Sequence, residues 1–250
     1  MPHAALTARW DQGLPAWGAW LTEDSPATIE TYGQAGFHYV GIDCQHSLLA
    51  EIDAARLLWR FRDAPFAIMT RVSGNDHALV GKLLDAGSDG VIVPGVNNVA
   101  ETQRVVEACR YPPHGQRSLG PIRPGLGVNP DALEGRALSL VMIETREGLE
   151  NVEEICRVPG LSGIYIGPGD LSHGLGMDPM LGFSTNQLED AYKRIAKACQ
   201  ANGLVLGSHS ISAKYSHQCV EWGCQFVTTG ANQMLLSQAS RALFAELTAQ

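Results

Sequence analysis

The sequence predicts a single-domain α/β protein, residues 1–250, with the (β/α)8 barrel fold, also called the TIM barrel. Three observations support this prediction. Short apolar segments alternate eight times with longer segments in which apolar residues recur at helical spacing. The short segments are almost continuously apolar, which is typical of parallel strands covered by helices. Eight such units in 250 residues match the usual size of this barrel.

The predicted strands follow one another along the whole chain. They comprise residues 17–21, 39–43, 67–72, 90–95, 138–144, 163–167, 204–209 and 226–230. Between them, helical spacing is clearest in residues 53–61, 77–87, 99–110 and 188–203. Several helical segments end at a glycine that opens the next strand, where a C-terminal cap requires a positive φ angle. These glycines are Gly36, Gly87, Gly203 and Gly223.

A doubly wound open sheet is the competing fold. Such a sheet normally carries a G-x-G-x-x-G loop after its first strand, where the pyrophosphate of a dinucleotide binds. Residues 17–24 contain no such loop. The barrel is therefore the preferred interpretation.

Composition excludes several classes of partner. The 26 acidic and 18 basic residues give a net charge of −8, and no basic run is present that could follow a nucleic-acid backbone. Apolar stretches are much shorter than the roughly 20 residues that a membrane span needs. The first residues lack a signal-peptide pattern, so we expect a cytoplasmic protein. The six cysteines form no C-x-x-C pair and are expected to be buried thiols.

One long segment, residues 111–136, breaks the alternation and is rich in proline and glycine. A loop of this length is usually functional or disordered. Its three arginines, Arg117, Arg123 and Arg136, could meet an anionic ligand, or each could lie on a solvated surface. We expect substrate specificity to depend on this loop and on groups supplied by a neighbouring subunit.

Catalytic groups of a (β/α)8 barrel lie at the carboxyl ends of its strands. Glu144 and Asp170 follow the neighbouring fifth and sixth strands, so their carboxylates could converge. A divalent cation would relieve their repulsion and leave positions open for substrate. The alternative is that both acids cap the helices that follow them.

Three further candidates follow strands two and three. Asp43 and His46 are close enough for the carboxylate to orient the imidazole as a general base, although the histidine could instead bond its own loop. Arg71 ends strand three, where a buried guanidinium needs an anion. His209 and His173 are secondary candidates.

The lysines limit the possible mechanisms. All four, Lys82, Lys193, Lys197 and Lys214, fall in predicted helices. No lysine is therefore available at a strand end to form a Schiff base with a carbonyl substrate. Neither G-x-S-x-G nor Ser-x-x-Lys is present to supply a serine nucleophile. Carbanion chemistry in this barrel would have to depend on a metal ion.

Seven segments, in order along the chain, carry a recognisable pattern. They are AGFHYVGIDCQHS (35–47), MTRV (69–72), KLLDAGSDGVIVPGVNNVAE (82–101), RYPPHGQRSLGP (110–121), IETREGLENVEEI (143–155), GIYIGPGDLSHGLG (163–176) and WGCQFVTTG (222–230). These segments resemble the HpcH/HpaI aldolases, which are metal-dependent 2-oxo-acid aldolases related to the citrate lyase β subunit. The similarity extends from about residue 18 to the C-terminus.

The resemblance implies a homohexamer in which paired subunits exchange the last helix. It also implies that Glu144 and Asp170 hold a divalent cation (Mg²⁺, Mn²⁺ or Co²⁺) that pyruvate chelates. By the same resemblance, His46 paired with Asp43 is the base and Arg71 stabilises the enolate. The predicted substrate-binding residues are Gly169, with its neighbouring backbone amides, Pro121 and His209.

Two departures from the family pattern concern side chains beside these residues. Met142 stands where many members have a glutamine, two residues before the metal-binding glutamate. Gln45 replaces an acidic residue beside His46. Neither change removes a metal ligand or the base, but both affect the expected acceptor aldehyde and metal affinity.

The predicted function is that of a class II aldolase, which reversibly cleaves a 4-hydroxy-2-oxo acid to pyruvate or hydroxypyruvate and an aldehyde. Its partners would be small molecules, with no nucleic acid and no membrane. One alternative is an acyl-CoA lyase of the citrate or malyl-CoA type. Another is a barrel that binds small anions without turnover.

Overall fold

The computed structural model describes residues 2–183 and 185–249. Within these residues, eight parallel strands form a closed barrel in which each strand pairs with the next and β8 pairs with β1. The predicted barrel is confirmed. The strands are β1 (Ala16–Leu21), β2 (Tyr39–Asp43), β3 (Ala67–Arg71), β4 (Gly90–Val93), β5 (Leu138–Ile143), β6 (Gly163–Ile166), β7 (Val205–His209) and β8 (Phe226–Ala231).

Helices surround the barrel, and one helix precedes the first strand and another follows the last. They are α1 (Pro2–Asp11), α2 (Pro26–Gln34), α3 (Glu51–Arg60), α4 (His77–Ala86), α5 (Val99–Cys109), α6 (Pro130–Glu134), α7 (Arg146–Glu150), α8 (Val152–Ile155), α9 (Pro168–Gly174), α10 (Glu189–Ala201), α11 (Ala213–Glu221) and α12 (Asn232–Thr248). Short 3-10 turns occur at Pro124–Leu126, Leu181–Phe183 and Asn186–Leu188.

The glycines predicted to follow helices adopt the left-handed backbone conformation. Their φ angles are 91° at Gly36, 103° at Gly87, 67° at Gly203 and 108° at Gly223. Side chains other than glycine rarely adopt this conformation, so these glycines specify where each helix stops.

Aromatic side chains fill the interior of the barrel. Tyr39 stacks on Phe226 with ring centroids 3.9 Å apart, and the hydroxyl of Tyr165 donates to Thr228 Oγ1 at 2.7 Å. The hydroxyl of Tyr39 lies 2.6 Å from the same Thr228 oxygen. Gly18 makes room for this cluster, because a Cβ atom there would lie 2.0 Å from the Tyr39 ring.

Helix α1 closes the amino end of the barrel. Leu6 is 1% exposed and belongs to the interior cluster. Trp10 packs edge-on against Phe226, with its indole N–H donating to the carbonyl of Gln225 at 3.0 Å. A substrate must therefore approach from the carboxyl end.

The segment 111–136 connects α5 to β5 and lies at the amino end, so within one chain it is remote from the strand ends that carry catalytic groups. The interpretation that these arginines lie on a solvated surface is wrong for Arg117 and Arg136. These two residues are buried in ion pairs, with Asp85 and Asp89 respectively, each at 2.8 Å. The role of this loop in specificity stays a prediction.

Two predictions from composition can be compared with the fold. All six cysteines are free and buried, as expected. No helix within residues 2–183 and 185–249 combines the length and apolarity needed to cross a membrane.

We expect Gly18→Ala to lower the free energy of unfolding by about 1–3 kcal/mol, because the new methyl group overlaps the Tyr39 ring. Gly81→Ala is the matched control, since Gly81 lies inside α4 and a Cβ atom there meets nothing within 4 Å. It should stabilise the protein by up to about 1 kcal/mol. Urea unfolding of both variants measures the difference. Equal stability of the two variants would contradict the proposed close packing.

Candidate active site

A cavity of about 290 Å³ opens at the carboxyl end of the barrel. It contains most of the site residues predicted from the sequence. Its lining is Trp20, Thr22, Asp43, His46, Arg71, Met142, Tyr165, Gly167, Pro168, Gly169, Asp170, Phe183, His209 and Ala231. A larger depression of about 630 Å³ lies at the amino end beside α1, but Asp11 is the one ionisable carboxylate or basic group in its lining.

Glu144 follows β5 and is 7% exposed. One of its oxygens, Oε1, accepts a hydrogen bond from the backbone amide of Gly95 at 2.6 Å. The other, Oε2, faces Gly167, where a Cβ atom would lie 2.6 Å away. The glycine after β6 therefore leaves room beside this carboxylate.

Asp170 is exposed in the first turn of α9 and lines the cavity. Burial raises the pKa of Glu144, the Gly95 amide lowers it, and the negative charge of Asp170 raises it again. Gly167, which lies beside Glu144 Oε2, is the N-cap residue of the helix that carries Asp170 in its first turn, so both carboxylates lie near the start of α9. Among residues 2–183 and 185–249, neither Glu144 Oε2 nor the Asp170 side chain has a hydrogen-bond partner.

The interpretation of these two acids as helix caps is wrong. Thr145 caps α7, with its hydroxyl accepting from the amide of Gly148 at 3.0 Å. The N-cap residue of α9 is Gly167, and Asp170 lies inside that helix. Neither carboxylate is therefore needed to cap a helix.

Arg71 is held in place by Asp43. The guanidinium donates from Nε to Oδ1 at 2.8 Å and from Nη2 to Oδ2 at 2.6 Å, and the indole N–H of Trp20 donates to the same Oδ2 at 3.2 Å. The guanidinium carbon lies 5.2 Å from the centre of the Trp20 ring. Burial alone would raise the pKa of Asp43, but the hydrogen bonds and charge of Arg71 outweigh it and lower this pKa.

The predicted hydrogen bond between Asp43 and the His46 ring is not formed. Asp43 Oδ1 instead accepts from the backbone amides of Gln45 at 2.9 Å and His46 at 3.3 Å. Within the described part of the chain, the His46 imidazole has no hydrogen-bond partner, and the residue is exposed at the edge of the cavity. Asp43 is saturated by Arg71 and backbone amides, so it orients the arginine rather than the histidine.

His209 ends β7 and lies between two aromatic rings. Its imidazole meets Trp20 and Phe183 edge-on, with centroid distances of 5.7 and 6.2 Å. Burial and the positive charge of Arg71 lower the pKa of His209 to about 4. The cavity therefore contains a neutral imidazole at physiological pH.

Three predicted residues are not in the lining of the cavity: Glu144, which lies beside Gly167, Pro121 and His173. Pro121 precedes Ile122, whose amide donates to the carbonyl of Asp85 at the end of α4, so it lies towards the amino end. Within one chain, Pro121 is not part of the cavity lining. His173 is exposed on α9 and does not line the cavity. Gly169 lines the cavity, and its role in binding substrate stays a prediction.

Sequence reasoning missed the aromatic wall of the site. Trp20 and Thr22 stand at the end of β1, so the rule that selected Arg71 could have found them if it had not been restricted to ionisable groups. Tyr165 points into the barrel from β6 and stacks on Trp20 at 6.3 Å. Phe183 lies in an irregular connection between α9 and α10, and no sequence signal marks it.

The fold and the cavity define the class of this protein. It is a (β/α)8 barrel whose carboxyl end brings together two unpaired carboxylates, one oriented guanidinium and two histidines, around a space suited to a small anionic molecule.

Comparison with known proteins assigns the family. Residues 17–239 match the model of the HpcH/HpaI aldolase/citrate lyase family, and the chain belongs to this family. It is 33% identical over 243 residues to the hydroxypyruvate/pyruvate aldolase of Rhizorhabdus wittichii, covering 96% of this chain and 97% of that protein. The 4-hydroxy-2-oxo-heptane-1,7-dioate aldolase of Escherichia coli is also 33% identical, covering 99% and 94%. A crystal structure of a family protein from Burkholderia cenocepacia superposes with a TM-score of 0.88, at 25% identity, covering 99% and 100%.

The lowered pKa of His209 predicts an acid-sensitive fold. The unfolded chain binds a proton at His209 below about pH 6.5, whereas the folded protein does so only near pH 4, so stability falls as the pH drops through this window. Between pH 7 and 5 the loss from His209 should be on the order of 2 kcal/mol. Urea unfolding at the two pH values should show a smaller loss for His209→Phe.

His209→Gln serves as the control, because it also removes the titrating group but keeps a polar side chain. The two variants should lose similar amounts of stability over this pH range. A loss as large as that of the wild type in both variants would show that His209 does not cause the acid sensitivity.

Proposed function

We propose that this protein is a class II aldolase that reversibly cleaves a 4-hydroxy-2-oxo acid into an aldehyde and pyruvate or hydroxypyruvate. Membership of the family and near full-length similarity to two aldolases support a carbon–carbon lyase of the pyruvate aldolase type. The observation that carries the proposal is the position of Glu144 beside Gly167, at the start of the helix whose Asp170 lines the cavity together with Arg71. The negative pair suits a cation, and the guanidinium suits a substrate oxygen.

The two carboxylates fit a divalent cation. Both offer hard oxygen donors, they repel each other when no positive charge lies between them, and Gly167 leaves space beside Glu144 Oε2. We assign Glu144 and Asp170 as ligands of Mg²⁺, Mn²⁺ or Co²⁺. When bound, such an ion supplies a Lewis acid that polarises the 2-oxo group of the substrate.

Arg71 stabilises the negative charge that develops on the substrate. Two of its N–H groups are occupied by Asp43, and the remaining guanidinium N–H groups are available to a keto or enolate oxygen. Because Asp43 and Trp20 fix the guanidinium before substrate arrives, little reorganisation is needed as the enolate forms.

His46 is the proposed base. In the cleavage direction it removes the proton of the C4 hydroxyl while the C3–C4 bond breaks and the electron pair passes to the enolate. Its exposed position at the cavity edge lets the proton exchange with water after each turnover. This role does not require Asp43 as a partner, in agreement with the hydrogen bonds that Asp43 makes elsewhere.

The start of α9 is assigned to the substrate carboxylate. The amide of Leu171 bonds the carbonyl of Gly167, so the preceding amides of Gly169 and Asp170 have no acceptor within the helix. Both residues line the cavity. These N–H groups can therefore donate to a carboxylate, with His209 as a neutral hydrogen-bonding group on the wall beside them.

Exchange of the pyruvate methyl protons in D₂O, followed by NMR, tests this proposal. Wild-type protein should catalyse exchange when Mg²⁺, Mn²⁺ or Co²⁺ is added. Glu144→Gln and Asp170→Asn should reduce it by about 100-fold or more, because metal activation is worth several kcal/mol. Both variants should also bind Mn²⁺ more weakly in calorimetric titrations.

Glu147→Gln is the matched control, since Glu147 is an exposed acid in the helix that follows Glu144. It should retain wild-type exchange and Mn²⁺ binding. Full metal-dependent exchange by Glu144→Gln would refute the ligand assignment, and a wild type that exchanges nothing with any of the three ions would refute the aldolase.

We further propose that the protein is a homohexamer in which α12 is exchanged between paired subunits. Large apolar residues of α12 are exposed on the single chain, with Leu236, Phe244 and Leu247 at 70, 68 and 69%. A helix with so much exposed apolar surface is typical of a subunit interface. In such an assembly Pro121 could reach substrate only from a neighbouring protomer.

Light scattering coupled to size exclusion tests the assembly. Wild-type protein should elute as a hexamer, and Phe244→Asp should elute as a smaller species because it places a charge in the buried interface. Gln238→Asp adds the same charge at an exposed polar position of α12 and should leave the hexamer intact. A monomeric wild type would contradict the proposal.

A further inference from the structure

A pocket distinct from the depression beside α1 lies at the amino end of the barrel, remote from the candidate active site. Its volume is about 170 Å³. The end of α3, the segments that precede β3 and β4, and the loop before α6 form its walls. The lining residues are Leu58, Phe61, Arg62, Ala64, Phe66, Ile68, Gly87, Asp89, Arg123, Gly125, Leu126 and Arg136. We call it the amino-end pocket.

Arg136 is the most deeply placed cation of the amino-end pocket, at 9% exposed. Its Nη2 donates to Asp89 Oδ1 at 2.8 Å and to the carbonyl of Gly87 at 3.2 Å. Its Nε atom is buried and has no hydrogen-bond partner among the described residues. The ion pair with Asp89 therefore leaves one buried donor of Arg136 unsatisfied.

Arg123 brings a second cation to the same pocket. Its Nη2 donates to the backbone carbonyl of Arg62, and its guanidinium lies over Gly87, where a Cβ atom would be 2.7 Å from Nη1. Its Nε atom is also buried without a partner in the described part of the chain. Burial and the nearby charge of Arg136 lower the pKa of Arg123.

The carboxylates at the pocket do not balance these charges. Asp89 Oδ1 is taken by Arg136, and Oδ2 accepts from the amide of Ile68 at 3.0 Å. Arg62 adds a third cation at the rim and is paired with the exposed Asp63 at 3.3 Å. Three guanidinium groups thus face two carboxylates, in a protein whose net charge is −8.

We propose that the amino-end pocket binds one small oxyanion, through the N–H groups of Arg123 and Arg136. An oxyanion supplies a negative charge between the two cations and acceptors for their free guanidinium N–H groups, since only Nη2 of each arginine makes a hydrogen bond among the described residues. Planar guanidinium groups match the geometry of phosphate and carboxylate oxygens.

The size of the pocket limits the ligand to a single small group. A space of about 170 Å³ suits inorganic phosphate or a short carboxylate, and the apolar side chains of Leu58, Phe61 and Phe66 leave no polar wall for a nucleoside. Inorganic phosphate and a short carboxylate both present negatively charged oxygens, and they differ in geometry and charge. This site is independent of the proposed aldolase activity.

Thermal unfolding with added potassium phosphate tests the site, with potassium chloride at equal ionic strength as the reference. At ten times its dissociation constant, phosphate should raise the Tm of wild type by about 3–6 °C. Arg123→Gln should lose most of this shift. Arg60→Gln removes an exposed arginine from the nearby last turn of α3 and should keep it.

A second comparison separates an anion site from a structural role for Arg123. If Arg123 only ties the loop to the barrel, Arg123→Gln should unfold at a lower temperature without phosphate. If it faces an unfilled anion site, removing it relieves repulsion from Arg136, and the Tm in chloride should equal or exceed that of wild type. A lowered Tm in chloride together with an unchanged phosphate shift would overturn the proposal.

The active site also contains an arginine, so Arg71→Gln is the remaining comparison. Arg71→Gln should keep the phosphate-induced rise in Tm if phosphate binds at the amino end. Loss of this rise in Arg71→Gln would place phosphate at the carboxyl end and refute the assignment. Pyruvate in place of phosphate, measured in Arg71→Gln, distinguishes the two sources. A shift with phosphate alone identifies a phosphate site, a shift with pyruvate alone identifies a carboxylate site, and no shift with either refutes the proposal.

Discussion

The ion pair between Asp43 and Arg71 is the interaction on which the geometry of the candidate active site depends. The two residues are register partners at the ends of β2 and β3, so the pairing of these strands places carboxylate and guanidinium side by side. Trp20 on β1 pairs with Gly41, whose missing side chain lets the indole lie across β2 and reach Asp43. A slip of any of these strands would turn the side chains away from the cavity.

The closed barrel sets the Asp43–Arg71 ion pair opposite the carboxylates of Glu144 and Asp170. In a ring of eight strands, β5 and β6 lie across from β1 and β2, so Glu144 and Asp170 face Trp20 and Asp43. One side of the cavity therefore offers the guanidinium of Arg71, and the other offers the carboxylate of Asp170, with Glu144 beside Gly167 at the start of the same helix. A small molecule that carries a carboxylate and a keto oxygen can contact both sides at once. This separation of charge favours enolate chemistry over simple anion binding.

The amino end serves a different purpose from the carboxyl end. Helix α1 seals it with Leu6 and Trp10, and the ion pairs Arg117–Asp85 and Arg136–Asp89 tie the long connection before β5 to the barrel. This division agrees with the general rule that the amino ends of barrel strands contribute stability. The proline and glycine content of the long connection predicts a functional loop. In the structure, two arginines of this loop, Arg117 and Arg136, form ion pairs with Asp85 and Asp89.

The sequence alone determined the eight strands, the glycines that end the helices and the strand ends that carry Asp43, Arg71, Glu144 and Asp170, because apolar periodicity and backbone conformation are local properties. Tertiary structure decided the partners: Asp43 bonds Arg71 rather than the ring of His46, Thr145 caps the helix after β5, and Pro121 lies far from the cavity. It also placed Phe183 beside His209. Hydrogen-bond partners and pKa shifts depend on distances between strands and loops remote in sequence, and only closure of the barrel sets those distances.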